Sequence, residues 1–195
     1  MAIPSKQNWK LYQGSTFTEV LRWESATKVY KTITNITQAA PMVVTAVGHG
    51  VPTGWRTKIT NVGGMKDINS TSTYQIVTGT TTDTLTYNAV NAVGFSAYTS
   101  GGILEYNAPT SLSGVTARMQ IREKITSTTT IDELTTENGR IIIDDTLKTI
   151  TISIPATVTA AYTFKSAVYS MELVSGAVVT LFISGNITLD TEITR

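Results

Sequence analysis

Thirty-seven of the 195 residues are threonine, and this one preference rules out most helical architectures. A β-branched side chain loses rotamer freedom against the preceding helical turn, yet it packs well on a half-buried pleated surface. An all-β chain is therefore expected. Hydrophobic residues make up 41% of the sequence and charged residues only 15%, so apolar material is ample for one or two cores. Cysteine is absent, and a chain of this length can bury a core without covalent staples.

Alternation locates the strands. In the run from Gly114 to Lys124, Val115, Ala117, Met119 and Ile121 fall on one side and Thr116, Arg118, Gln120 and Arg122 on the other, so one face is buried and one is wet. Ile150, Ile152 and Ile154 are in phase and Pro155 ends their run. Ala167, Tyr169, Met171 and Leu173 share a face ahead of a Ser175-Gly176 turn, and Leu181, Ile183, Ile187 and Leu189 return in phase. That pattern predicts a long hairpin. Gly185 occupies an inward position of the returning strand, which predicts a bulge or a close backbone approach. Asn138-Gly139 is a turn signal before Ile141 and Ile143. The only helical segment predicted is short, Pro155 to Tyr162.

Near the start, two apolar patterns flank Gln13-Gly14-Ser15. Phe17, Leu21 and Trp23 share a face, Glu19 interrupts the alternation, and a hairpin-like opening is expected. Between Ile36 and Tyr106 the pattern changes to short strands separated by glycine-rich connections. Five or so such strands predict a small barrel-like module, inserted where Asn107-Ala108-Pro109 gives a rigid exit. The expected organisation is thus a discontinuous antiparallel β-sandwich from residues 1–35 and 107–195, with an inserted β-module at 36–106. Insertion of this kind is tolerated because the termini of a small domain often lie close together.

No motif of catalysis or ligand chemistry stands out. His49 is the single histidine, within Gly48-His49-Gly50, with no nucleophile motif beside it, and it reads as a turn residue. Asp144-Asp145 and the carboxylates of Asp190 to Glu192 lack the calcium-loop spacing and read as solvated turn residues. Gly63-Gly64 and Ser100 to Gly102 lack the phosphate-loop Lys and hydroxyl, and read as turns. Asn35, Asn69 and Asn186 each open an Asn-x-Ser/Thr triplet, a pattern that threonine-rich chains meet by chance. No catalytic residue, metal site or cofactor is expected. A net charge of +1 without a dense Lys/Arg cluster gives no electrostatic grip on nucleic acid, and no run of about eighteen apolar residues is present to span a membrane. Neither does the opening segment hold an apolar run of signal-peptide length.

The aromatic residues divide in two. Trp9, Tyr12, Phe17 and Trp23 are candidates for a sugar or receptor surface, although alternation assigns Phe17 and Trp23 to the core. Trp55, Phe95 and Tyr98, at turn positions, are candidates for exposed anchors to another subunit.

Several strings in order carry a resemblance. Tyr12 to Trp23 (YQGSTFTEVLRW), Leu112 to Lys124 (LSGVTARMQIREK), Glu133 to Asp144 (ELTTENGRIIID) and the closing YSMELVSGAVVTLFISGNITLDTEITR resemble the N-terminal domain of phage baseplate upper proteins, which recurs in tailed-phage virion proteins. The middle, with VVTAVGHGVPTGWRTKITNVGGMKDIN and NAVGFSAYTSGG, resembles a small β-module recurrent in phage tail proteins. That module is distantly similar to a domain inserted in ubiquitin-activating enzymes, where it carries no catalytic residue, so no ubiquitin chemistry is implied. The resemblance implies a non-enzymatic structural protein, made in the bacterial cytoplasm and placed in the virion at the tail, baseplate or neck. The implied partners are other virion proteins, fibre subunits included, and further copies of the chain in a symmetric homo-oligomer. A receptor- or glycan-binding module at the tail and a capsid decoration protein are the alternatives. Were the N-terminal strand to pair with a partner's sheet edge, Ile3 to Tyr12 would be the segment.

Overall fold

The computed structural model describes residues 5–69 and 73–192. The chain is all-β: seventeen strands, one 3-10 turn and one five-residue helix among the described residues. It divides into two compact units. One comprises Met1–Arg22, Leu112–Asp145 and Thr149–Arg195, the other Trp23–Ser111 with Thr146–Lys148. The second unit therefore begins before the expected residue 36 and ends after the expected residue 106. Pairing explains the difference. Glu24–Thr32 lies antiparallel to Ser100–Pro109, with Thr32 opposite Ile103 and Lys28 opposite Asn107, so residues 24–32 complete a sheet of the inserted unit.

In chain order, the first unit opens with β1 (Ser5–Lys6), β2 (Trp9–Tyr12) and β3 (Phe17–Arg22). The second holds β4 (Glu24–Thr32), β5 (Asn35–Ile36), β6 (Met42–Thr45), β7 (Arg56–Gly63), β8 (Gln75–Ile76), β9 (Gly79–Thr80), β10 (Thr84–Tyr87) and β11 (Ser100–Pro109). The first then resumes with β12 (Val115–Arg122), β13 (Asp132–Thr135), β14 (Ile141–Asp144) and β15 (Thr149–Ile154). The helix α1 (Ala156–Ala160) and the hairpin strands β16 (Ser166–Ser175) and β17 (Val178–Asp190) complete it.

The first unit is a sandwich of a six-stranded and a three-stranded sheet. The larger runs β1-β17-β16-β12-β13, with β2 also on β17, and the smaller runs β14-β15-β3. Alternation dictates the core: Ala117, Met119 and Ile121 of β12, Ile150, Ile152 and Ile154 of β15, and Met171 and Leu173 of β16 are all buried. Each large apolar side chain buried in full contributes about 1.5–3 kcal/mol. Trp9 of the larger sheet stacks on Tyr169 at 4.0 Å between ring centroids and meets Phe17 of the smaller sheet at 5.3 Å. Aromatic packing thus ties the two layers together.

One expectation about the N-terminal stretch changes. The opening is not a hairpin: β2 pairs with β17 and β3 with β15, so Gln13-Gly14-Ser15 carries the chain from one sheet to the other. A polar turn between two apolar runs reads the same for a corner as for a hairpin, and alternation does not name a strand's neighbour. This stretch is also already paired on one side. Ser5–Lys6 and Trp9–Tyr12 pair with β17 of the same chain, in parallel, which adds a parallel element to an otherwise antiparallel sheet. Ile3 and Pro4 lie outside the described residues. The β16–β17 hairpin forms as expected, but a register shift opposite Met171 and Glu172 leaves Phe182 as the extra residue, so Leu181 is 40% exposed, out of phase with the buried Ile183, Ile187 and Leu189.

The second unit holds two four-stranded sheets, β5-β6-β10-β9 and β4-β11-β7-β8, over one core that includes Met42, Val44, Trp55, Leu85, Tyr87 and Leu104. Among the described residues the sheets do not close into a barrel. The Tyr87 hydroxyl lies 2.7 Å from that of Thr57 inside this core, so the one polar atom of a buried ring is satisfied.

Candidate interaction surface

His49 is only 2% exposed, and both ring nitrogens are in use. Nδ1 accepts from the Val51 N–H at 2.9 Å, which leaves Nε2 to donate to the Thr84 carbonyl at 3.2 Å. Its own carbonyl accepts from the Tyr106 hydroxyl. Burial pushes the imidazole pKa down, against the raising effect of the Thr84 carbonyl. The ring is a neutral brace of the 48–51 turn.

The carboxylates are occupied in the same way. Asp145 caps the Leu112 N–H at 2.5 Å, and Asp190 pairs with Lys10 across β17 and β2 at 2.7 Å, half exposed. No group of three or more metal-ligating side chains occurs among the described residues. No helix there is long and apolar enough to cross a membrane. Of the glycosylation triplets, the one at Asn69 extends into residues outside the described set.

The glycine clusters are only partly the turns expected, Gly64 lying in a bend at φ +75° that ends β7. Ser100 pairs with Gly63 and Gly101 with Val62 in adjoining strands, and a Cβ on Gly64 would stand 2.1 Å from the Ala97 carbonyl oxygen. They permit close approach of two backbones, which the dipeptides alone do not distinguish from a turn.

Of the aromatic anchors, Trp55 is overturned. Trp55 is fully buried and donates from Nε1 to the Asn107 carbonyl at 2.9 Å. Phe95 and Tyr98 are half-buried against the same core, and the Tyr98 hydroxyl contacts the carbonyls of Ile33 and Gly101 at 3.1 and 2.9 Å. Trp9 is buried, Phe17 and Trp23 are half-buried, and Tyr12 stands 56% exposed. Turn-rich sequence around Trp55 concealed that the connection folds inward over the core.

The most perturbed polar cluster is Asp132, Arg140 and Tyr162, which the sequence reading missed. Arg140 grips Asp132 in a bidentate pair at 2.7 and 2.6 Å, and the Tyr162 hydroxyl donates to the same carboxylate. Burial works to raise the Asp132 pKa, but the Arg140 and Tyr162 hydrogen bonds outweigh it and hold the group below the usual carboxylate range. Burial and the adjacent carboxylate push the Tyr162 phenol up. The cluster staples β13 to the stretch after β14's preceding turn and to the chain beyond α1.

One surface remains unsatisfied. Residues 173–189 carry no charged side chain, and on β17 Val178, Val179 and Leu181 are 64%, 50% and 40% exposed. From Ile183 onward β1 and β2 line the outer edge of β17, whereas among the described residues no strand lines the edge of 178–181. A strand edge without a neighbouring strand, beside exposed valines, is the arrangement that recruits another strand. Alternation identified the hairpin, but strand order, which determines the free edge, is not written in it. No known family model and no curated protein matches this chain.

Proposed function

We propose that the protein is a non-enzymatic structural component of a tailed-phage virion, acting at the tail, baseplate or neck by docking neighbouring virion proteins and symmetric copies of itself. The observation that carries this reading is the uncharged outer edge of Val178–Leu181. Natural edge strands are usually blunted by lysine, proline or a covering element. An edge without these devices fits a chain whose work is to be paired, through main-chain hydrogen bonds with pockets for alternate side chains. The resemblance of the flanks to baseplate upper proteins supports the setting. The full engagement of His49, Asp132 and Asp145 within the fold supports a role in geometry rather than turnover.

Replacing Val179 and Leu181 together by lysine tests this reading. Both side chains are exposed, so the variant should keep its thermal unfolding within about 0.5 kcal/mol of the parent, yet fail to enter particles. Normal incorporation of a folded double variant would remove the edge from the account.

A further inference from the structure

The outer face of the six-stranded sheet carries a trough of about 490 Å³, inside the ~300–1,000 Å³ range of small-ligand sites. Cross-strand pairing builds it. Lys6 stands opposite Ser184, Ser184 opposite Ser170, and Ser170 opposite Gln120, while Asn186 and Arg122 both flank Val168 in the next row. Short hydroxyl and long polar side chains line it, together with Val168 and the exposed Ile125.

The charged residues that line it, Lys6 and Arg122, are both cationic. Arg122 donates to Gln120 Oε1 at 3.2 and 2.7 Å and to the Ser127 carbonyl at 2.6 Å. These acceptors are neutral, so they fix the guanidinium without cancelling its charge. Lys6 forms no ion pair among the described residues. Glu133, which accepts from Gln120, and Glu172, which accepts from Arg118, each at 2.8 Å, lie in the adjoining depression that shares Gln120 and Ser170 with the trough. The Ser170 and Ser184 hydroxyls and the Asn186 side-chain amide have no hydrogen-bond partner among the described residues.

We propose that this trough binds an anionic saccharide, one whose carboxylate or phosphate meets Lys6 and Arg122 while its hydroxyls pair with Ser170, Ser184 and Asn186. This activity is separate from the structural role and uses a different face from the β17 edge. A carboxylate on a protein loop would meet the same cations but leave the hydroxyls to water. Tyr169, the one aromatic residue at the trough, is 3% exposed, so binding rests on charge and hydrogen bonds rather than on ring stacking, and it weakens as salt rises.

Titrating the full chain with a short oligogalacturonate, its methyl ester and glucose 6-phosphate tests the proposal, by calorimetry and amide chemical shifts. Saturable binding of the oligogalacturonate or of glucose 6-phosphate is expected, and which of them binds assigns carboxylate or phosphate. Shifts should centre on Ser170, Ser184 and Asn186. Lys6→Gln, an exposed change that leaves folding intact, should weaken binding about tenfold, as loss of a charge-assisted hydrogen bond does. Arg122→Lys should weaken it by removing the fork while keeping the charge. Binding of neither anion, equal binding of the methyl ester, or affinity unchanged in Lys6→Gln would overturn it.

Discussion

The carbonyl oxygen of Gln7 lies 1.9 Å from the position that a Cβ on Gly185 would occupy. The N-terminal segment crosses β17 there, and the Gln7 carbonyl also accepts from the Tyr169 hydroxyl at 2.8 Å. Gly185→Ala must push backbone against backbone, which costs about 1–3 kcal/mol. Thermal unfolding should show a Tm several degrees lower, and an unchanged Tm would mean that the segment yields freely.

His49 makes stability pH-dependent. Its pKa in the folded protein lies below the ordinary ~6.5 of the unfolded chain, so the unfolded state binds more protons near that pH. Stability is complete above the unfolded value and falls as pH drops through it toward the folded value. Unfolding followed from pH 8 to pH 5 should show this loss, and His49→Gln should flatten the profile even with a lower plateau. A parent profile that is flat across this window would contradict the neutral brace.

Asp132→Asn leaves the Arg140 guanidinium, whose side chain is 18% exposed, without its counter-charge. Arg140 Nε already lacks a partner, so the loss should reach about 2–4 kcal/mol in urea unfolding, a little below that of a fully buried pair. The depressed Asp132 pKa adds stability that is present above the unfolded value near ~3.9 and lost as pH falls through the lower folded value. The variant should therefore lose part of the parent's acid-side slope.

Trp55→Ala should unfold the second unit rather than remove a docking anchor. Removing a fully buried indole costs about 3–5 kcal/mol. Its Nε1 hydrogen bond to Asn107 vanishes too. Tyr12→Ala, at a 56% exposed position, should change stability by no more than about 0.5 kcal/mol. A folded Trp55→Ala protein with native stability would contradict the packing described.

Much of the fold was legible because one-sided burial writes a period of two into a strand. Met119 and Ile121, Ile152 and Ile154, and Met171 and Leu173 all lie buried where alternation puts them, and Ala156–Ala160 is helical as expected after Pro155. Gly185 was legible as a bulge or a close approach, since a missing side chain on an inward position fits either, and the structure shows the close approach. Strand order was not legible. The parallel seating of Trp9–Tyr12 on Ile187–Asp190 joins segments at opposite ends of the sequence, and no local pattern records such a pairing. The trough and the free edge follow from that order, and so neither could be read in advance. Trp55 misled for a different reason: its neighbours Pro52 and Gly54 mark a turn correctly, but a turn can fold over a core as readily as away from it.

The central claim is that this chain is paired into a particle through the outer edge of β17. A cryo-electron microscopy map of the intact virion, with the chain traced, tests it most directly. The account predicts the chain within the tail, baseplate or neck, with a neighbouring segment hydrogen-bonded along Val178–Leu181 in every copy. Absence of the chain from the particle, or its presence with that edge facing solvent, would contradict it.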